Sequence, residues 1–192
     1  MIFSSWQFIF LFLPICFIGY FSLIRVRYFV GSRVWLVLCS LFFYGYWKTD
    51  YLIIILFSLF FNYALGTTLS QSIAHPNKVN RKICLAIGVI FNILLLGYFK
   101  YANFIASNIN SLTSLNLEFP DIILPLAISF FTFQQIAYLV DSYKGETSEY
   151  DLLNYMLFVT FFPQLIAGPI VHHKEMMPQF ANKKNKNVNL DN

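Results

Sequence analysis

The sequence predicts an all-α, polytopic membrane protein, and two observations lead to this fold class. Of the 192 residues, 58% are hydrophobic and only 11% are charged, against about 25% in a soluble domain. Polar side chains are therefore too few to cover a globular surface. The apolar residues are also grouped in six long runs without an Asp, Glu, Lys or Arg. Continuous runs indicate helices, since the strands of a membrane barrel alternate apolar with polar residues.

The six apolar runs are the predicted spans. A helix needs roughly 20 residues to cross the hydrocarbon core of a bilayer, and five of the runs reach or approach that length. The second run is shorter, so it extends at its ends or lies in a thinner region. The runs are Trp6–Ile24, Val34–Trp47, Tyr51–Leu69, Ile83–Phe99, Ile122–Val140 and Leu152–Ile170.

The segment Lys100–Phe119 follows the fourth span and has a helical pattern of its own. Apolar residues from Tyr101 to Leu112 share one face, with Asn103 and Ser107 among the polar residues opposite. This pattern is typical of a helix that lies in the membrane interface. An extension of the fourth span explains the pattern equally well, and the sequence leaves both alternatives open.

Basic residues predict the orientation of the chain. Arginines in the Arg25–Arg33 connection and basic residues in the Lys78–Lys82 connection indicate the cytoplasmic side, which places the N-terminus outside. The connection Asp141–Asp151 has one lysine against four acids, and we expect it outside. Lysines from Lys174 onward indicate that the polar loop or tail, residues 181–192, is inside. If all six runs crossed the membrane fully, the connections could not all lie on the sides that their charges indicate. The run Ile122–Val140 is therefore predicted either as a span or as a re-entrant segment.

Polar residues inside the spans are the candidate site residues. An amide without a partner in hydrocarbon costs several kcal/mol, so it should face other helices or a cavity. Asn62 and Asn92 are interpreted as interhelical hydrogen-bonding residues. Thr132, Gln134 and Gln135, in a run interrupted by proline, are predicted to line a cavity or to be structural.

The histidines predict neither a catalytic nor a metal site. His172 and His173 are adjacent and point in different directions on a helix. His172 and Glu175 have a spacing that would allow a shared metal, but a site needs three or four ligands and second-shell partners. Cys16, Cys39 and Cys84 lie in apolar runs without metal-like spacing. We predict no metal and no cofactor.

The charge of the chain argues against a nucleic-acid partner. The net charge of +4 is spread over short connections between apolar runs, which favours anchoring at a membrane surface. Membrane lipid is therefore the first predicted partner.

Five stretches, in this order and spacing, resemble the N-terminal part of membrane-bound O-acyltransferases, and most of all the alginate O-acetylation branch. The stretches cover nearly the whole chain. They are MIFSSWQFIFLFLP, SLFFYGYWKTDYL, LGYFKYANF, LPLAISFFTFQQIAYLVDSYKG and FFPQLIAGPI.

The resemblance implies that the chain is the N-terminal half of a ring of membrane helices around a central tunnel, within one acyltransferase domain. It implies an acyl donor on the cytoplasmic side, an exported polysaccharide as acceptor, and a partner acetyltransferase outside. The location would be the cytoplasmic (inner) membrane. In this interpretation Pro163, Gly168 and Pro169 break the last helix near the cytoplasmic face.

The sequence departs from the family in one respect. The family's catalytic histidine lies in a later Trp/Arg-rich segment that these 192 residues do not contain. No catalytic residue is therefore assigned, and the chain is expected to be inactive by itself. The alternatives are a transporter or channel component, or an inactive truncated fragment.

Overall fold

A computed structural model describes residues 4–74, 80–113, 122–146 and 151–167. Every regular element in these ranges is a helix, so the predicted all-α class is confirmed. A π-helical turn, Phe8–Phe12, leads into the first α-helix. The α-helices are α1 (Leu13–Arg25), α2 (Phe29–Trp47), α3 (Thr49–Ala74), α4 (Arg81–Thr113), α5 (Ile128–Lys144), α6 (Leu152–Thr160) and α7 (Phe162–Ala167).

The π-helical turn ends two residues before Pro14. Proline has no N–H, and in a regular helix its ring clashes with the carbonyl four residues earlier, which is that of Phe10. The wider turn is closed by the Leu13 N–H, which donates to the Phe8 carbonyl oxygen. It accommodates the proline, so the helix continues to Arg25.

Four helical stretches of the described ranges are long and apolar enough to cross a membrane. Large apolar side chains on them, such as Phe10, Ile53 and Leu94, are more than half exposed, which is the pattern expected of lipid-facing helices. The chain is therefore a multi-pass membrane protein. The stretches are Phe8–Arg25, Phe29–Tyr46, Thr49–Ile73 and Arg81–Leu112.

Helix α2 begins at Phe29 rather than at Val34, so the second span is not short. Its 19 residues measure about 28 Å, close to the thickness of the hydrocarbon core. The helix includes two polar residues that precede the predicted start of the span. Ser32 Oγ donates to the Phe29 carbonyl oxygen at 2.9 Å, and Arg33 Nη1 donates to Asn154 Oδ1 at 2.7 Å.

Helix α4 runs without a break from Arg81 to Thr113, so the predicted interfacial segment is an extension of the fourth span. Polar side chains in the extension bond to the backbone of their own helix. Ser107 Oγ and Asn108 Nδ2 donate to the Phe104 carbonyl oxygen at 2.9 and 2.7 Å. With 33 residues the helix is about 50 Å long and exceeds the hydrocarbon core.

Helix α5 begins at Ile128 rather than at Ile122. Pro125 has no N–H and disfavours a helical conformation at the residue before it. Ala127 then has a left-handed φ of 57°, and the Ile128 N–H donates to the Pro125 carbonyl oxygen at 3.3 Å. The helix has 17 residues and measures about 25 Å.

The last predicted span is divided at Phe161 into α6 and α7. Phe161 has φ −55° and ψ 105°, which is not helical. Pro163 follows in the first turn of α7 and has no N–H to donate to the Val159 carbonyl oxygen. The other two predicted breaks, Gly168 and Pro169, lie outside the described residues.

The chain divides into two compact units. One contains Met1–Tyr63 and Ser148–Asn192, and the other contains Ala64–Thr147. In the first unit α2 packs against α1 and α6, and in the second α4 packs against α5. The first unit has an aromatic cluster with ring centroids 5.2 to 6.1 Å apart, formed by Phe8, Phe12, Phe43 and Phe162.

The Arg33–Asn154 hydrogen bond places two connections at the same membrane surface. Arg33 is near the start of α2 and Asn154 is near the start of α6. The connection that ends at Asp151 is therefore on the same side as the arginine-rich one, and the prediction that it lies opposite is wrong. Its acids misled the prediction because Asp and Glu contribute little to orientation.

We expect cysteines introduced at Tyr28 and Asp151 to be labelled from one side of the membrane and a cysteine at Lys48 from the other. Tyr28 and Asp151 directly precede α2 and α6, whereas Lys48 follows the end of α2. The measurement is labelling with an impermeant maleimide on intact cells and on inverted vesicles. Labelling of Tyr28→Cys and Asp151→Cys from opposite sides would contradict the shared surface. The native thiols give little background because all are buried, namely Cys16, Cys39 and Cys84.

Candidate functional site

The three predicted lining residues of α5 are all buried. Thr132 and Gln135 are completely buried, and Gln134 is 5% exposed. Residues three positions apart share a helix face, so Thr132 and Gln135 lie on one face and Gln134 on the neighbouring one. The outward face carries Phe130 and Phe133, which are 38% and 52% exposed. All three polar side chains are thus turned away from lipid.

Two of these side chains keep polar atoms without a hydrogen bond. Within the described residues, Thr132 Oγ1 and Gln134 Oε1 have no hydrogen-bond partner, whereas Gln135 has an interaction of its own. A buried polar atom without a partner costs about 1–3 kcal/mol. Stability alone does not explain why one helix carries two of them. Their lining of a passage for substrate stays a prediction.

Two glycines determine how α5 packs. A Cβ built on Gly66 of α3 would lie 2.2 Å from Tyr138 Cε1, and one built on Gly88 of α4 would lie 2.5 Å from Leu139 Cδ1. Small residues allow membrane helices this close approach. Tyr138 is one helical turn after Gln134, so both residues lie on the same side of α5.

An arginine anchors the C-terminal end of α5. Arg81 Nη2 donates to the Tyr143 carbonyl oxygen, and the guanidinium carbon lies 4.9 Å from the centre of the Tyr143 ring. Gly145 ends the helix with a left-handed φ of 77°, and its N–H donates to the Ser142 carbonyl oxygen at 3.3 Å. A cation near the last carbonyls of a helix is favourable.

Asn62 and Asn92 are completely buried. Asn62 Nδ2 donates to the Ser58 carbonyl oxygen and Asn92 Nδ2 to the Gly88 carbonyl oxygen, both at 2.8 Å. These two bonds run within one helix, and both asparagines have further interactions besides them. The predicted hydrogen bonds between helices stay a prediction.

The break between α6 and α7 forms a second polar position. The Phe162 N–H donates to Ser40 Oγ of α2 at 3.4 Å. Gln164, directly after Pro163, is only 8% exposed, and neither of its amide atoms has a hydrogen-bond partner in the described part of the chain. Pro163 was among the residues predicted from the sequence, and Gln164 was not. The argument applied to Gln134, that an amide inside an apolar run needs a hydrogen-bond partner or a functional role, would have identified Gln164 as well.

In the ranges that the structure describes, no group of three His, Cys, Asp or Glu side chains could hold a metal ion. The histidine pair His172 and His173, with Glu175, lies outside these ranges, as does the polar segment 181–192.

Comparison with known proteins gives a consistent result. Residues 142–191 match the model of MBOAT, the membrane-bound O-acyltransferase family. The chain is 44% identical over 218 residues to a peptidoglycan O-acetyltransferase of Helicobacter pylori, which covers 100% of the chain and 41% of the relative. It is 37% identical over 188 residues to the probable alginate O-acetylase AlgI of Pseudomonas aeruginosa, covering 95% of the chain and 35% of the relative. No solved structure matches the chain significantly.

The chain thus spans less than half the length of these relatives. Similarity along its whole length to O-acetyltransferases, together with apolar helices that can cross a membrane, confirms the resemblance seen in the sequence. The chain belongs to the membrane-bound O-acyltransferase family, in the branch of the alginate O-acetylases.

Proposed function

We propose that the chain is the N-terminal part of an enzyme that transfers acetyl groups to hydroxyls of an exported polysaccharide. The observation that carries this proposal is the similarity along the chain to relatives named for the acetylation of two such polymers. Both names denote the same reaction type, which is ester formation on a sugar hydroxyl. The alternative of a transporter or channel has no comparable support.

The proposal also concerns which polymer accepts the acetyl groups. The resemblance in the sequence implied an alginate-type polymer. Identity to the relative named for peptidoglycan is 44%, and to that named for alginate 37%. Because the identity to the peptidoglycan relative is higher, peptidoglycan is a second candidate for the acceptor, beside the alginate-type polymer. Both polymers present sugar hydroxyls outside the membrane, so the chemistry expected of the enzyme is the same.

Within that enzyme we assign this chain to the scaffold and the wall of the passage. The buried Thr132 and Gln134 support this role, since both have polar atoms without a hydrogen bond among the described residues. We propose that acyl donor arrives from the cytoplasmic side of the inner membrane, where the Arg25–Arg33 connection would lie. The N-terminus and a partner acetyltransferase would then be outside.

The proposal is tested by deleting the gene and measuring ester-linked acetate. Mild alkali releases this acetate, and it is quantified separately from peptidoglycan and from exported polysaccharide. We expect one polymer to lose its acetate and to regain it when the gene is restored. Unchanged acetate in both polymers would refute the proposal, and the polymer affected identifies the acceptor.

A reactivity measurement tests the lining role of α5. Protein atoms bury Thr132 completely in the described structure, so only the proposed passage would bring water to this position. Because thiol reactivity follows access to solvent, we expect Thr132→Cys in the full-length enzyme to react with a small permeant methanethiosulfonate about tenfold faster than the native Cys84. Cys84 is a matched control since it is buried, at 6% exposure, in an apolar helix face. Equal and slow reaction at both positions would mean that Thr132 is surrounded by protein and does not line a water-filled passage.

A further inference from the structure

Two cysteine thiols meet between α1 and α2. The Cys16 thiol donates a hydrogen bond to the Cys39 sulfur, and both cysteines are buried and free. A buried cysteine by itself behaves as a small apolar side chain. A pair in direct contact is different, because two side chains that point at each other meet the first requirement of a disulfide bond.

The register of the two helices places both thiols near the middle of the membrane. Helices α1 and α2 are joined by the three residues 26–28 and pack against each other. Cys16 lies nine residues before Arg25, the last residue of α1, at a distance of about 14 Å. Cys39 lies ten residues after Phe29, the first residue of α2, at a distance of about 15 Å. Both distances are about half of a hydrocarbon core roughly 30 Å thick.

A tryptophan of α2 fixes this register. Trp35 Nε1 donates to the Cys16 carbonyl oxygen at 3.1 Å. The indole ring lies against Gly19, where an added Cβ would clash with it. Small residues allow membrane helices to approach this closely. Because Gly19 and Cys16 are three residues apart and share one face of α1, the contact that joins the helices also holds Cys16 opposite Cys39.

An apolar cavity of about 480 Å³ lies beside the pair and has both thiols in its wall. Its volume is within the range of small-molecule sites in proteins. Phe12, Trp35 and Phe42 supply aromatic surface to the same wall. Leu38 and Phe42 are more than half exposed, so the cavity opens to lipid. A molecule dissolved in the membrane can therefore reach the thiols without passing through water.

We infer that Cys16 and Cys39 form a disulfide and that the oxidant is a membrane quinone bound in this cavity. Two S–H bonds break and one S–S bond forms, and the two protons and two electrons reduce the quinone to hydroquinone. A quinone fits because it is lipid-soluble, accepts this number of protons and electrons, and has a flat ring that packs against aromatic side chains. Quinones also drive the oxidation of protein dithiols in the bacterial periplasm. The inference goes beyond the proposed function and does not depend on it.

The test uses the full-length protein in its native membrane, kept free of oxygen and incubated with decylubiquinone. Alkylation of the denatured protein before and after reduction, followed by peptide mass spectrometry, gives the reduced fraction of each cysteine. We expect Cys16 and Cys39 to be oxidised together and at least about tenfold faster than Cys84. A linked Cys16–Cys39 peptide and one hydroquinone per disulfide should accompany the reaction. Cys84 is the matched control because it is also buried in an apolar helix but is not in the cavity wall.

Two variants separate the disulfide from the quinone site. Cys16→Ser removes one partner with little change of shape, so Cys39 should then stay as reduced as Cys84. Leu38→Trp places a larger ring in the mouth of the cavity and should slow the oxidation about tenfold, because thiol reactivity follows access. Leu94→Trp is its control, since Leu94 is an exposed leucine of α4 outside the cavity wall. It should leave the rate unchanged.

Four outcomes would contradict the inference. If Cys16 and Cys39 stay reduced, or react no faster than Cys84, they are only packing residues. If Cys39 is oxidised equally well in Cys16→Ser, the reaction occurs at a single thiol and forms no Cys16–Cys39 bond. Oxidation by oxygen alone, with none by decylubiquinone under anaerobic conditions, would show that the cavity does not bind quinone. An unchanged rate in Leu38→Trp would show that the oxidant reaches the thiols by another route.

Discussion

Replacing Gly66 by alanine is expected to lower the free energy of unfolding by about 2 kcal/mol. The new Cβ would lie 2.2 Å from Cε1 and 2.7 Å from Oη of Tyr138, a side chain that is itself 3% exposed and has little room to move. Such overpacking costs about 1–3 kcal/mol. The contact is very short, so we expect a cost near the upper end of that range. The gain of up to about 1 kcal/mol in helix propensity is too small to compensate for it. The measurement is unfolding in detergent.

Gly97→Ala is the matched control for this prediction. Gly97 is also inside a helix, but a Cβ there would have no atom within 4 Å. The same substitution should therefore stabilise the protein by up to about 1 kcal/mol. In a Tyr138→Ala background the cost of Gly66→Ala should disappear. A cost that persists without the tyrosine ring would contradict the proposed close packing.

Removing either partner of the Arg33–Asn154 hydrogen bond is expected to cost about 1.5 kcal/mol. The 2.7 Å bond joins a charged donor to a neutral acceptor, a type worth about 1.5–3 kcal/mol. We choose the low end because both side chains are only partly buried. A double-mutant cycle with Arg33→Ala and Asn154→Ala measures the coupling. Additive costs would show that the bond contributes nothing.

Arg27→Gly is the control in the same connection, and the opposite sign is expected. Arg27 has a left-handed φ of 61°, a conformation that costs a non-glycine residue about 1 kcal/mol. Glycine adopts it without strain, so the variant should be more stable by a few tenths to 1 kcal/mol. Destabilisation would mean that the exposed arginine has a partner at the membrane surface.

Composition and periodicity determined much of this protein. The absence of charge from six long runs predicted an all-α membrane chain, because hydrocarbon accepts no free backbone groups. The five ordered stretches, from MIFSSWQFIFLFLP to FFPQLIAGPI, identified the family. Pro125 and Pro163 were seen as interruptions, since proline acts on its own neighbours in any fold. These features depend on local chemistry alone.

Only the tertiary structure decided the features that depend on distant partners. Arg33 lay just before the predicted span Val34–Trp47, yet it lies inside α2, where it bonds Asn154, far along the chain. The side of the Asp151 connection follows from that same bond and not from its acids. Gln164 became a candidate because burial left its amide without a partner among the described residues. Patterns of neighbouring residues cannot report such contacts, since each is made by side chains that meet only after the helices have packed.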